Sequence, residues 1–155
     1  AGATATRLAD GGVLVAGGGT RIPPPVPASA ATARYDPVGD RWFPAAPLRE
    51  ARFGHAAVAL RDGTVLVVGG TTATTPTNDP RYVSRSSLAG AERYDPLADR
   101  WEDAGATHPV GEGHTATLLA DGTVLVAGGA YMPPEGSSSL ALAEVARTVP
   151  RWPAP

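Results

Sequence analysis

The stretch Asp62-Gly-Thr-Val-Leu-Val-Val-Gly-Gly70 decides the fold, because the chain contains it three times. The other copies are Asp10-Gly-Gly-Val-Leu-Val-Ala-Gly-Gly18 and Asp121-Gly-Thr-Val-Leu-Val-Ala-Gly-Gly129, and successive copies start 52 and 59 residues apart. Self-similarity at such a spacing is typical of architectures built from one repeated supersecondary unit. The sequence therefore predicts three copies of one unit, all in the same phase.

Each unit is predicted to form four strands. A strand of small residues leads into Asp-Gly, which favours a two-residue hairpin turn with positive φ at both residues. The apolar run that follows is typical of a strand buried on both faces. The Gly-Gly pair that ends this run indicates a positive φ or a close approach of another backbone.

A second motif follows in each unit. It reads Arg34-Tyr-Asp-Pro-Val-Gly-Asp-Arg-Trp42 in the first unit and Arg93-Tyr-Asp-Pro-Leu-Ala-Asp-Arg-Trp101 in the second. The third unit keeps only Arg151-Trp152 and carries Val145 at the tyrosine position. Asp-Pro predicts a turn, and each tryptophan is expected to lie buried between stacked sheets.

Together these motifs resemble the kelch repeat, which forms one blade of a β-propeller. The resemblance is carried by the glycine pairs and by the tyrosine and tryptophan positions: Gly17, Gly18, Gly69, Gly70, Gly128, Gly129, Tyr35, Tyr94, Trp42, Trp101 and Trp152. It implies an all-β, kelch-type β-propeller fold with three four-stranded blades, near residues 1–46, 47–105 and 106–155. It also implies that the small-residue strand lines a central channel and that the tryptophan strand is outermost.

The number of blades leads to a prediction about partners. Propellers of this family usually close with six or seven blades, and an open arc of three would expose an apolar sheet face at each end. We therefore expect one of two completions. Either two copies form a homodimer with a six-bladed ring, or the rest of a longer polypeptide closes the ring.

Composition excludes several other classes of protein. The 155 residues include no Cys, and all 13 basic residues are Arg, so thiolate chemistry, Cys-ligated metals and lysine Schiff bases are absent. A net charge of −2 argues against nucleic acid as a partner, and the apolar runs are too short to span a membrane. The Arg- and Ala-rich composition favours a bacterial source and an exported protein, although the localisation stays open.

His55 and His114 occupy the same position in adjacent units, near one end of the expected channel. They are candidates for a metal or proton-transfer site, or for strand-end histidines that bond a neighbouring loop, which we favour. Arg52 lies three residues before His55. In peptide-binding kelch domains arginines at similar places hold acidic ligands, which makes Arg52 a ligand-binding candidate. The alternative, a solvated or loop-bonding arginine, is favoured here too.

The loops between the second and third strands differ in every unit, at Thr20–Thr32, Thr71–Ala91 and Ala130–Leu142. Variable loops on a repeating scaffold are common places for recognition. The longest one contains Arg81 and Arg85, which are further candidates for ligand binding.

The remaining carboxylates and glycines do not indicate catalysis. The aspartates of the second motif lie in turns beside proline and are interpreted as turn formers. Copper-radical sugar oxidases share this propeller, but their cofactor needs a cysteine, so no cofactor is predicted. We predict a non-catalytic binding or scaffold module that recognises a protein or glycan through its loops. The alternative is part of a propeller enzyme that acts on a small or sugar-like ligand in the channel.

Overall fold

The computed structural model describes residues 2–19, 27–74, 84–130 and 146–147. This part of the chain forms thirteen strands and no helix, and it therefore holds no helical segment able to cross a membrane. The strands are β1 (Thr4–Arg7), β2 (Val13–Ala16), β3 (Thr32–Asp36), β4 (Arg41–Ala45), β5 (Ala56–Ala59), β6 (Val65–Val68), β7 (Thr71–Thr74), β8 (Ser84–Ser87), β9 (Gly90–Asp95), β10 (Arg100–Ala106), β11 (Glu112–Leu118), β12 (Val124–Ala130) and β13 (Ala146–Arg147).

Three antiparallel sheets follow one another along the chain. Blade 1 has the order β1-β2-β3-β4, blade 2 the order β5-β6-β9-β10, and blade 3 the order β11-β12-β13. The predicted all-β fold of antiparallel four-stranded sheets is confirmed in blades 1 and 2. The fourth strand expected in blade 3, with Trp152, lies outside the described residues. The unit limits near residues 46 and 105 remain a prediction.

The core lies between the blades, because successive residues of a strand point to opposite faces of its sheet. Between blades 1 and 2, Leu14 and Ala16 pack with Val65, Val67, Tyr94 and Trp101. Between blades 2 and 3, Leu66 and Val68 pack with Val124 and Val126. The first strands of the blades also lie side by side, with β5 in contact with both β1 and β11.

Only part of the prediction for the tryptophans is correct. Trp101 is 6% exposed and its indole Nε1–H donates to the carbonyl of Ala46 in blade 1, at 2.8 Å. Trp42 is 60% exposed, so the prediction that it is buried is wrong for this chain. The reason is position: Trp101 lies on the preceding blade, whereas the described residues contain no sheet that precedes blade 1.

The Asp-Gly turns also differ from the prediction. The amide of Gly11 donates to the carbonyl of Leu8 at 3.1 Å, and Gly11 alone, not Asp10, has a positive φ. The arrangement is a type I turn followed by a left-handed glycine, and it recurs at Gly63 and Gly122. Asp10 instead accepts a hydrogen bond from the amide of Gly12 at 3.0 Å, as aspartates in turns commonly do.

The segment Thr71–Ala91 is not simply a loop. Its two ends pair as the antiparallel ribbon β7–β8, from Thr71 opposite Ser87 to Thr74 opposite Ser84. Thr71 is buried and exchanges two backbone hydrogen bonds with Phe53, at 3.0 and 2.9 Å. Threonine is enriched in strands because its branched side chain suits a pleated surface, so the polar composition was misleading here.

Candidate functional site

The end of the blades where the 2–3 loops leave also carries the linkers between blades, since strands in each sheet alternate in direction. Arg52, His55 and His114 all lie at this end, in the linkers or at the start of the first strands. We call it the loop end. The structure therefore brings Arg52 together with His55 and His114, the two histidines that the repeat placed in equivalent positions.

Arg52 is a buried structural residue. It is 1% exposed, and its Nη2 donates to Glu92 Oε1 at 2.8 Å. Its Nη1 donates to the carbonyls of Gly69 and Gly90, at 2.9 and 2.8 Å. Bidentate and fork-like bonding of this kind is the geometry for which guanidinium is suited. The loop-bonding alternative fits Arg52, and none of its hydrogen bonds is directed to an exposed surface.

Glu92 is the residue that the sequence analysis missed. It is buried and holds the linker between blades 1 and 2, accepting hydrogen bonds from the amides of Arg49 at 2.7 Å and Glu50 at 3.1 Å. In the repeat frame Glu92 stands two residues before Tyr94, where unit 1 has Ala33. The signal that could have found it is that a carboxylate stands in the strand before the tyrosine of unit 2, where unit 1 has alanine.

His55 joins blade 2 to blade 1. Its Nε2 lies 2.9 Å from Thr4 Oγ1 in β1, and its ring is buried. Burial, aided by the guanidinium of Arg52 and by His114, lowers the pKa of His55 to about 4. The imidazole is therefore neutral near pH 7, and its buried Nδ1 accepts no hydrogen bond among the described residues.

His114 makes the corresponding joint between blades 3 and 2. Its Nε2 lies 3.0 Å from the carbonyl oxygen of Val68 in β6. Because a carbonyl can only accept, Nε2 must carry the proton and donate it. The two histidines thus act in the same way, each tying a first strand to the blade before it.

The glycine pairs complete these joints. Gly17 and Gly69 have φ of +65° and +63°, and both lie against a following blade. A Cβ on Gly17 would lie 2.5 Å from the Arg52 carbonyl oxygen and 2.8 Å from Cε1 of His55. At Gly69 the corresponding distances, to Val110 and His114, are 2.7 and 3.0 Å. Both reasons given for these glycines, positive φ and close backbone approach, therefore apply.

Two predicted ligand residues cannot be placed. Arg81 lies outside the described residues, and so does the side chain of Arg85, whose backbone belongs to β8. The described residues also contain no group of three His, Asp or Glu side chains that could hold a metal ion. What the described part of the loop end offers is a set of blade joints, beside which the ribbon β7–β8 pairs with Phe53 of the linker.

A cavity of about 400 Å³ lies at the opposite end, between the outer strands of blade 1 and the β9–β10 turn of blade 2. Its walls include Arg34, Phe43, Tyr94 and Asp99. Arg34 is ion-paired with Asp10, and Asp99 accepts hydrogen bonds from the Tyr94 hydroxyl and the Ala46 amide, at 2.7 and 2.9 Å. The hydrogen bond from the Ala46 amide, together with that from Tyr94, lowers the pKa of Asp99.

Comparison with known proteins agrees with this arrangement. The family model described as "Kelch motif" matches residues 52–105, which is blade 2 with its linker. Kelch-like protein 25 of Xenopus laevis is 42% identical over 67 residues, which is 43% of this chain and 11% of that protein. Kelch-like protein 25 of Xenopus tropicalis is 40% identical over 67 residues, again 43% of this chain and 11% of that protein.

The chain thus spans about a tenth of the length of these curated relatives. Among solved structures, that of YjhT superposes with a TM-score of 0.67 at 15% identity, covering 91% of this chain and 41% of that one. At that identity the likeness concerns the fold alone. The repeated sheets, the Gly-Gly joints and the matching motif lead to one conclusion: this chain contains a kelch motif at residues 52–105 and has the fold of kelch-type β-propeller blades.

Proposed function

We propose that the chain works as a non-catalytic binding module or scaffold, and that it recognises a protein or glycan at the loop end. Kelch repeats build β-propellers that serve as binding or scaffold modules, which supports the first part of the proposal. The second part rests on one observation, the unit-specific ribbon β7–β8 that blade 2 adds to its four strands at this end.

The ribbon is held firmly at its base. Thr71 and Ala73 are buried, Thr71 pairs with Phe53, and the amide of Leu88 donates to the carbonyl of Gly70 at 2.8 Å. A rigid base allows a projecting segment to present side chains without a large loss of conformational entropy on binding. Residues 75–83 between the two strands include Arg81 and Tyr82, which are residue types enriched at recognition surfaces.

The side chains that would serve an enzyme are already used in the structure. Arg52 is bonded to Glu92 and to two carbonyls, and His55 and His114 are bonded across the blade joints. A general base must reach the proton that it takes from a substrate. Arg52 is bonded within blade 2 and each histidine is bonded to the preceding blade, and this supports the binding function over the catalytic alternative.

An array experiment tests the proposal. The chain is applied to arrays of acidic peptides and of glycans, and ligands that it retains are titrated by calorimetry. Arg81→Ala and Arg85→Ala should weaken binding about tenfold or more, as expected for loss of a charge-assisted contact. Arg7→Ala is the matched control, because Arg7 is exposed at the opposite end of β1.

The opposite result is equally definite. Tight stoichiometric metal, or turnover of a sugar-like substrate that is lost in His55→Ala and His114→Ala with the fold intact, would establish the catalytic alternative. Ligands retained equally by Arg81→Ala and Arg7→Ala would move recognition away from the ribbon.

A further inference from the structure

Each interface between blades uses two different faces. In blade 2, Val65, Val67, Tyr94 and Trp101 point toward blade 1, and we call this type of surface the tryptophan face. Blade 1 receives it with Leu8, Leu14 and Ala16, and we call this type the leucine face. The interface is therefore formed head to tail, with a tryptophan face laid on a leucine face.

Blade 1 carries a tryptophan face of its own, and no residue that the structure describes covers it. The residues at the corresponding positions are Val13, Val15, Tyr35 and Trp42. Tyr35 and Trp42 form the same tilted pair as Tyr94 and Trp101, with ring centroids 5.0 Å apart against 5.1 Å. Trp42 is nevertheless 60% exposed, and its indole N–H has no acceptor in the described part of the chain.

Blade 3 carries a leucine face that no described residue covers. Its strand β12 begins Val124-Leu125-Val126-Ala127, the same four residues as Val13–Ala16 in blade 1. Val126 is buried toward blade 2, whereas Leu125 and Ala127 are only half-buried. Leu119, the counterpart of Leu8 in the repeat, is 38% exposed, whereas Leu8 is 4% exposed.

The two open surfaces are thus the two halves of the interface that the structure already shows between blades 1 and 2. One chain presents both, at opposite ends of its arc. Three blades from each of two chains make six, one of the ring sizes that the resemblance to the kelch repeat implies. Apolar sheet faces of this extent are rarely left open to water in soluble proteins.

We propose that the tryptophan face of blade 1 binds the leucine face of blade 3 in a second copy of this chain. Applied in both directions, this contact closes a six-bladed ring with two equivalent interfaces and no exposed face. The two interfaces together should bury about 2,000 Å² or more, as obligate dimers do. This assembly does not depend on which ligand the loop end binds.

Light scattering coupled to size exclusion tests the proposal on the purified chain. We expect a well-folded species of twice the 15.7 kDa mass of one chain. Trp42→Arg should convert it to a monomer with unchanged circular dichroism. Val38→Arg is the matched control, since Val38 is 96% exposed in the turn of the same blade and should leave the dimer intact.

A mixing experiment tests the head-to-tail direction. Leu125→Arg should also be monomeric alone, and Leu119→Arg serves as the second variant on an exposed position if Leu125→Arg does not fold. Trp42→Arg mixed with either of them should give a heterodimer in native mass spectrometry, because one sound interface is then available.

Three results would overturn the proposal. A well-folded monomer of the unmodified chain, or a chain that only aggregates, would assign the open faces to further blades of a longer polypeptide. A dimer that survives both Leu125→Arg and Leu119→Arg would show that two tryptophan faces meet each other instead.

Discussion

Blades 1 and 2 carry a tyrosine and a tryptophan at the same positions, yet in blade 1 they are half-buried and exposed and in blade 2 both are buried. Trp101 and Tyr94 pack against blade 1, while Trp42 and Tyr35 keep the same ring geometry and none of the described blades packs over them. The difference shows that whether a side chain is buried in a repeat protein depends on the adjacent repeat and not on the residue type alone. Stability is accordingly a sum of terms within repeats and between them.

The largest effect should come from Trp101. Trp101→Ala removes a buried indole and its hydrogen bond to Ala46, so it should lower the free energy of unfolding by about 3–5 kcal/mol in urea denaturation. Trp42→Ala, made in the monomeric Leu125→Arg background, should change the free energy of unfolding by less than about 1 kcal/mol, because the Trp42 ring is already exposed to solvent. Equal losses at the two positions would remove the difference between the blades.

The next effect concerns the buried ion pair that blade 2 has and blade 1 lacks. Glu92→Ala leaves the buried Arg52 guanidinium with only the half-exposed carboxylate of Glu50, 3.7 Å away, as counter-charge, and we expect a loss of about 3 kcal/mol. Glu102→Ala is the control, because its pair with Arg100 is exposed and should contribute less than about 1 kcal/mol. A Glu92→Ala chain as stable as the Glu102→Ala control would show that the linker is held by other contacts.

The joint between blades 1 and 2 should also be sensitive to pH. The pKa of His55 is lowered to about 4 in the folded chain, so between pH 6.5 and 4 the unfolded chain binds more protons. The contribution of neutral His55 to the free energy of unfolding is therefore complete above pH 6.5. It falls as the pH falls, by about 2 kcal/mol between pH 7 and 5.

Denaturation at several pH values measures this slope. His55→Gln should flatten it between pH 7 and 5, whereas His108→Gln, at an exposed position, should leave it unchanged. A slope that persists in His55→Gln would assign the proton uptake to another group.

The smallest effect distinguishes a glycine inside a joint from one at an open end. Gly128→Ala should cost about 1 kcal/mol for a left-handed backbone, since the nearest atom to its added Cβ is 3.9 Å away. Gly17→Ala has the same backbone penalty and in addition meets the Arg52 carbonyl and His55, so it should cost at least about 1 kcal/mol more. Thermal unfolding in the monomeric background compares them, and equal shifts would mean that the joint at Gly17 is not tightly packed.

Repetition made much of the fold predictable. The strands of blades 1 and 2, the close approaches at Gly17 and Gly69 and the burial of Trp101 all follow from residues that recur in phase. The pairing of Arg52 with Glu92 was not predictable, because its members are 40 residues apart in sequence and only one unit carries both. The exposure of Trp42 could not be predicted either, since it depends on a blade that lies outside the Trp42 unit.

The most direct test of the account is hydrogen exchange at the tryptophan indoles, followed by nuclear magnetic resonance and assigned with Trp42→Phe. In the assembled chain we predict that the Trp42 indole N–H exchanges as slowly as that of Trp101, because a second tryptophan face is then covered. Leu125→Arg should make the Trp42 indole N–H exchange rapidly and leave the exchange at Trp101 slow. Rapid exchange at Trp42 in a folded, dimeric chain would contradict the account.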